Sequence, residues 1–153
     1  MARIDIEGFD RVTLPLEKLA AMPDSVRGEM LTAAGQVIAE AHRQKLELYV
    51  GEYAVKPTRR GRPRAAVRTG RLAASIKPGR PNVKEGYIEI RPGGSRTRGR
   101  TTTRNEEIGY ILEYGKQGVP ARQWMRDANA ECEEKAAGAA AGSFGNWLDE
   151  IGL

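Results

Sequence analysis

The sequence predicts an α+β fold in which a small antiparallel sheet packs against two long helices, with two long basic loops. Three observations carry this. Apolar residues recur at helical spacing over 24–49 and again from about residue 122 onward. Between them, short stretches alternate apolar and polar residues with period two. Two further stretches combine arginine with Gly, Pro, Ser and Thr and hold almost no large apolar side chain. At 153 residues, a single domain over 1–153 is expected, with the basic loops at about 53–66 and 92–105.

Taken in order, Ile4 and Ile6 alternate with Arg3, Asp5 and Glu7, and Val12, Leu14 and Leu16 alternate with Arg11, Thr13 and Pro15. Both read as short strands, the second at a sheet edge because Pro15 lacks an N–H for the ladder. From Asp24 the period changes. Val26, Met30, Ala34, Val37, Ile38, Ala41 and Leu48 fall on one face of a helix predicted from Asp24 to Tyr49, with Asp24 or Ser25 as its cap. Thr69 is placed to cap a short helix over Gly70 to Ser75, and Leu72 and Ile76 lie four apart and are expected to pack inward together. Val83 to Arg91 reads as a strand with Ile88 and Ile90 on one face and Tyr87 and Glu89 on the other. Glu107 to Tyr114 fits helix or strand, and Gly115 to Pro120 is a turn.

The last helix starts near Arg122 and carries a narrow stripe of Met125, Ala128, Cys132, Ala136, Ala139 and Ala140. Gly138, Gly142 and Gly145 each cost about 1 kcal/mol relative to Ala in a helix interior. Either another helix approaches closely there, or the helix ends near Gly142 and Trp147 with Leu148 docks separately.

Charge is distributed unevenly. Residues 53–104 hold fifteen bases against two acids, a net of +13, while the remainder holds ten bases against eighteen acids, a net of −8, so the chain totals +5. Two clusters dominate. Lys56, Arg59, Arg60, Arg62 and Arg64 form the first; Arg96, Arg98, Arg100 and Arg104 form the second. Such clusters recruit a polyanion, and phosphate contacts would release counterions and make binding salt-dependent. Neither cluster contains an aromatic residue to stack on bases, so non-specific contact with double-stranded DNA through its phosphates fits better than single-strand recognition. Docking on an acidic partner protein and simple solvation remain open readings of the same residues.

Little in the sequence points to catalysis. No phosphate-binding glycine loop ends in Gly-Lys-Ser/Thr. The one histidine, His42, stands between Ala41 and Arg43 in the first helix and reads as a solvated or half-buried helix residue, with ligand or general base as the alternative. The one cysteine, Cys132, excludes an internal disulfide and a cysteine-based zinc site, and it is expected to be buried on the small-residue stripe. No catalytic, cofactor-binding or metal site is expected. No run approaches the ~20 apolar residues of a membrane span, and the charged first ten residues do not resemble a signal peptide.

Three patches, read together, resemble a known family. They are Thr69-Gly70-Arg71-Leu72-Ala73-Ala74-Ser75-Ile76, then Tyr110-Ile111-Leu112-Glu113-Tyr114-Gly115, then Pro120-Ala121-Arg122-Gln123-Trp124-Met125 and on to Ala128. Their order and spacing over about 24–140 are similar to the tail-component family of long-tailed phages, the minor tail protein Z-like proteins that join heads to tails or complete tails. The chain departs from that family's pattern in having Ala66-Val67-Arg68 before the Thr-Gly, Lys116 after the Gly, and Trp124 where Phe is usual. The resemblance implies a non-enzymatic virion protein made in the host cytoplasm and located at the neck or tail. It also implies a homo-oligomeric ring that contacts neck and tail proteins and through which DNA passes. On this reading Thr69, Gly70, Leu72, Ser75, Ile76, Tyr110, Glu113, Gly115, Pro120, Trp124 and Met125 are structural residues.

Overall fold

The computed structural model describes residues 17–49, 71–98, 100–118 and 120–152. The strands expected before residue 17, the first basic cluster from Lys56 to Arg64, and the Thr69-Gly70 cap lie outside the described residues. The order of elements is α1 (Asp24–Tyr49), α2 (Arg71–Ala74), β1 (Ile76–Pro78), β2 (Ile90–Pro92), β3 (Ser95–Arg98), β4 (Thr101–Arg104), α3 (Asn105–Tyr114) and α4 (Trp124–Ile151). The fold is α+β, with two antiparallel strand pairs, β1–β2 and β3–β4, beside long helices.

Helix α1 occupies the predicted span, Asp24–Tyr49. Its start differs in detail. The Pro23 carbonyl accepts the N–H groups of Val26 and Arg27 at 3.1 and 3.3 Å, so Asp24 lies inside the first turn. There its carboxylate complements the positive end of the helix dipole. The buried stripe also differs from the predicted face. Val26, Gly35, Ala39, His42 and Leu46 are buried, whereas Met30, Ala34, Val37, Ile38 and Ala41 are half-buried and Leu48 is 70% exposed. The reason is that α1 is covered from two sides, by α4 along one flank and by β1, β2 and α2 along another. The innermost stripe therefore falls between the two flanks and takes in Gly35, Ala39 and His42 along with Val26 and Leu46.

Helices α1 and α4 run antiparallel. Lys18, in a helical turn over 17–20, donates from Nζ to the Ile151 carbonyl at 3.0 Å near the end of α4, while His42 meets Asn129 near its start. Ala128, Cys132 and Ala136 are buried in this contact, as the small-residue stripe anticipates. Helix α4 is continuous to Ile151, so it does not end near Gly142. Nor does another helix approach its glycines: a Cβ at Gly138, Gly142 or Gly145 would meet nothing within 4 Å among the described residues.

The core sits at the other end of the helix pair. Ala39, Leu46, Leu72, Ala73, Ile76, Leu112 and Trp124 form one cluster, with Ile90, Ile108 and Met125 packed against it. Strand β2 is shorter than expected. Residues 83–86 form a turn instead, because the Asn82 carbonyl collects the N–H groups of Gly86 and Tyr87 at 2.8 and 3.2 Å. Ile88 still turns inward onto α1. It lies so close to Gly35 that a Cβ there would stand 2.9 Å from its Cδ1. Residues 105–114 are helix, which resolves the ambiguous stretch ending at Tyr114.

The expectation of a loop over 92–105 is overturned. Most of it is a hairpin in which Ser95 pairs with Arg104, Arg96 with Thr103, Thr97 with Thr102 and Arg98 with Thr101. Four threonines, β-branched and at home on a pleated surface, outweigh the glycine and charge that suggested an unordered segment.

Candidate nucleic-acid interface

The hairpin follows from local chemistry and one buried anchor. Thr97 and Thr102 share a hydroxyl hydrogen bond of 3.1 Å across the strands. At its base Asn105, only 6% exposed, donates from Nδ2 to the Gly93 carbonyl at 2.7 Å and accepts the Arg96 Nε–H on Oδ1 at 3.0 Å. Its own backbone N–H bonds the Gly94 carbonyl at 3.0 Å. One side chain thus ties β3, the Gly93-Gly94 bend and the first turn of α3 together. The sequence reading missed Asn105. The available signal was its position: a small polar residue between a β-branched run and an apolar helix marks a junction.

The structure brings Arg96, Arg98, Arg100 and Arg104 together on this one hairpin, whose residues 95–104 contain no acid. Arg100 and Arg104 are exposed and Arg96 is half-buried. Lys56, Arg59, Arg60, Arg62 and Arg64 lie outside the described residues. The neighbouring strand pair adds less charge. Lys77 sits opposite Arg91 in the register, but Arg91 is balanced by Glu89 at 3.8 Å and Glu106 at 3.5 Å. Arg80 and Lys84 are exposed on the turn between β1 and β2.

The residues of the resemblance patches gather at the core end. Leu72 and Ile76 are buried together, as the four-residue spacing predicts, although Ile76 belongs to β1 and not to a helix. The Ser75 hydroxyl donates to the Leu72 carbonyl at 2.7 Å, and the Ser75 carbonyl accepts the Gly93 N–H at 2.9 Å. Gly115 ends α3 at φ +79°, a conformation that favours glycine, with its N–H on the Ile111 carbonyl. Trp124 is fully buried, and its indole N–H donates to the Gly109 carbonyl at 3.1 Å. Pro120 is exposed and Met125 half-buried. Glu113 has a role the sequence does not reveal. Its buried carboxylate accepts the N–H groups of Met125 at 2.7 Å and Arg126 at 3.3 Å. Helix α4 has no cap of its own, since Gln123 stands at φ +52° without a side-chain bond, so a residue of α3 caps it. Tyr110 and Tyr114 point outward, 61% and 65% exposed, with ring centroids 4.6 Å apart.

His42 is neither solvated nor half-buried but 4% exposed. Its Nε2–H donates to the Asn129 Oδ1 at 2.7 Å, its ring meets Trp124 edge-on at 5.4 Å, and its buried Nδ1 has no hydrogen-bond partner among the described residues. Burial lowers its pKa below the usual 6.5, against the opposing effects of the Asn129 bond and the Glu113 charge. A histidine whose folded pKa is depressed stabilises the fold fully above the unfolded value of 6.5, and that stability is lost as pH falls below it. The loss is at most about 1.4 kcal/mol per pH unit until the folded pKa is passed. Melting temperatures between pH 8 and 5 are expected to fall more steeply for the native chain than for His42→Gln. Parallel curves would contradict this account of His42.

Cys132 is buried, and burial pushes its thiol pKa up, which disfavours the reactive thiolate. Among the described residues no group of three His, Cys, Asp or Glu side chains could hold a metal ion, and no helix is long and apolar enough to cross a membrane. No family model, curated protein or solved structure matches the chain.

Proposed function

We propose that the chain is a non-enzymatic virion structural protein that joins head to tail, or completes the tail, at the neck of a long-tailed phage. It acts as a homo-oligomeric ring through which DNA passes, contacts neck and tail proteins, and presents its arginine clusters to the DNA. The observation that carries this reading is the convergence of the described part of the first resemblance patch with the second and third patches. Leu72, Ile76, Leu112 and Trp124 share one core cluster, Glu113 of the second patch caps the helix that begins in the third, and none of these contacts is reactive. Residues spent on a rigid junction suit a protein whose work is to hold shape. The exposed Tyr110–Tyr114 pair supplies an aromatic surface of the kind enriched at protein interfaces.

Native mass spectrometry of the purified chain tests the ring. A closed oligomer is expected, and Tyr110→Ala with Tyr114→Ala is expected to reduce it to smaller species that still melt cooperatively. A second reading, a free-standing basic DNA-binding module, is favoured only by the arginine hairpin. Neutralising Arg59, Arg60, Arg62 and Arg64 to Gln is expected to leave folding intact, weaken duplex binding and flatten its salt dependence. Unchanged binding would assign that cluster to an acidic protein partner.

A further inference from the structure

We infer that the β3–β4 hairpin is a preorganised arginine ribbon that takes the groove of duplex DNA, and that Asn105 is the residue that positions it. This rests on the reading of the basic segment as DNA-facing and adds the binding element, the geometry and the anchor.

The dimensions fit a duplex. Two strands pair over four positions, Ser95–Arg98 against Thr101–Arg104. A two-stranded ribbon is one of the two elements that the ~12 Å major groove admits. Arg96 and Arg98 are two residues apart on β3, about 6.8 Å along the strand. Arg104 carries charge on the other strand and Arg100 at the turn; by the register Arg96 and Arg104 lie on opposite faces of the ribbon, so both faces carry charge. Thr97, Thr101, Thr102 and Thr103 offer hydroxyls, which donate to phosphate oxygens. Residues 95–104 hold no aromatic side chain, so a single strand would find nothing to stack on.

The ribbon is held and not merely tethered. The Asn105 bond to Arg96 engages Nε and takes up neither Nη amino group. The same amide fixes the Gly93 carbonyl at the bend, where Gly94 adopts φ +74°. Asn105 is buried and does not reach the ligand, so its contribution is preorganisation: the ribbon does not have to be ordered when DNA arrives.

Fluorescence anisotropy with a short labelled duplex, titrated at about 50 to 200 mM salt, separates contact from positioning. Arg100→Gln and Arg104→Gln are expected each to reduce the slope of log affinity against log salt by about 0.9. Asn105→Ala is expected to weaken binding about tenfold at every salt concentration with the slope unchanged, because it removes order and no phosphate contact. If Asn105→Ala does not melt cooperatively, Arg96→Ala takes its place, with weaker binding and a slope reduced by about 0.9 expected. The inference is overturned by an unchanged slope in the Arg100 and Arg104 variants. Native affinity in Asn105→Ala or Arg96→Ala, or tighter binding of the matching single strand, also overturns it. Native mass spectra of the same samples report the ring independently: a ring with unaltered slopes sinks the ribbon alone, and altered slopes without a ring sink the neck reading alone.

Discussion

Trp124→Ala is expected to destabilise the protein by about 3–5 kcal/mol, the range for removing a fully buried large aromatic side chain. Trp124 is the largest fully buried side chain in the described residues, and it lies where α1, α3 and α4 meet. Its loss opens a cavity among Ala39, Leu46 and Leu112, leaves the Gly109 carbonyl without the indole N–H, and strips the edge contact from the His42 ring. The surroundings cannot collapse readily, because α3 and α4 already approach at a glycine: a Cβ at Gly109 would stand 3.0 Å from the Pro92 Cγ and 3.5 Å from the Trp124 ring. Trp124→Phe keeps most of the volume and loses the N–H donor, so a smaller cost of about 1–3 kcal/mol is expected. Urea denaturation followed by circular dichroism measures both. A cost below about 1 kcal/mol for the alanine variant would show that the junction is not the core described here.

Glu113→Ala is expected to cost about 2–3 kcal/mol, although it deletes no large apolar group. The carboxylate accepts two N–H groups of the first turn of α4 and brings negative charge to the positive end of a helix that runs from Trp124 to Ile151. Without it, Met125 and Arg126 keep partly buried N–H donors with no acceptor from α3. The same junction is stitched by the Arg122 and Gln123 N–H groups on the carbonyls of Leu112 and Glu113, at 2.8 and 3.2 Å. Glu113→Gln retains one acceptor oxygen and is expected to lose about half as much. Differential thermal melting settles the order: alanine below glutamine below native. Equal melting temperatures for all three would remove the capping role.

Much of the fold is legible because it is local. The span of α1 follows from periodicity, and the burial of Leu72 and Ile76 is anticipated, although Ile76 reaches the core on β1 and not along a helix. The failures are informative. His42 reads as solvated or half-buried because polarity argues for exposure, yet a tertiary partner, Asn129, satisfies one nitrogen and lets the ring be buried. The glycines of α4 suggest a close helix neighbour, but the described residues provide none, so their cost is borne by the contact between α1 and the Ala128–Cys132–Ala136 stripe. The hairpin is hidden because glycine and arginine density imitates an unordered segment. Its order depends on a side chain outside it, Asn105, which no reading of residues 95–104 alone reveals.

The candidate site divides the same way. Charge density is a sequence property, and the four arginines from Arg96 to Arg104 stand out without any structure. Their arrangement is a property of the fold, which sets two arginines along β3, one at the turn and one on β4. The rest of the chain carries a net charge of −8, so along the sequence the basic excess is confined to residues 53–104.

In vitro joining tests the central claim most directly. On the proposed reading, filled heads and tails are prepared from a phage, or an induced prophage, whose copy of this gene is disrupted, and the purified chain is added back. Electron microscopy then counts joined particles. Heads and tails are expected to stay separate without the protein, to join when it is added, and to retain it as a ring at the neck. Normal joining in its absence, or a strictly monomeric protein that binds DNA and enters no particle, would contradict it.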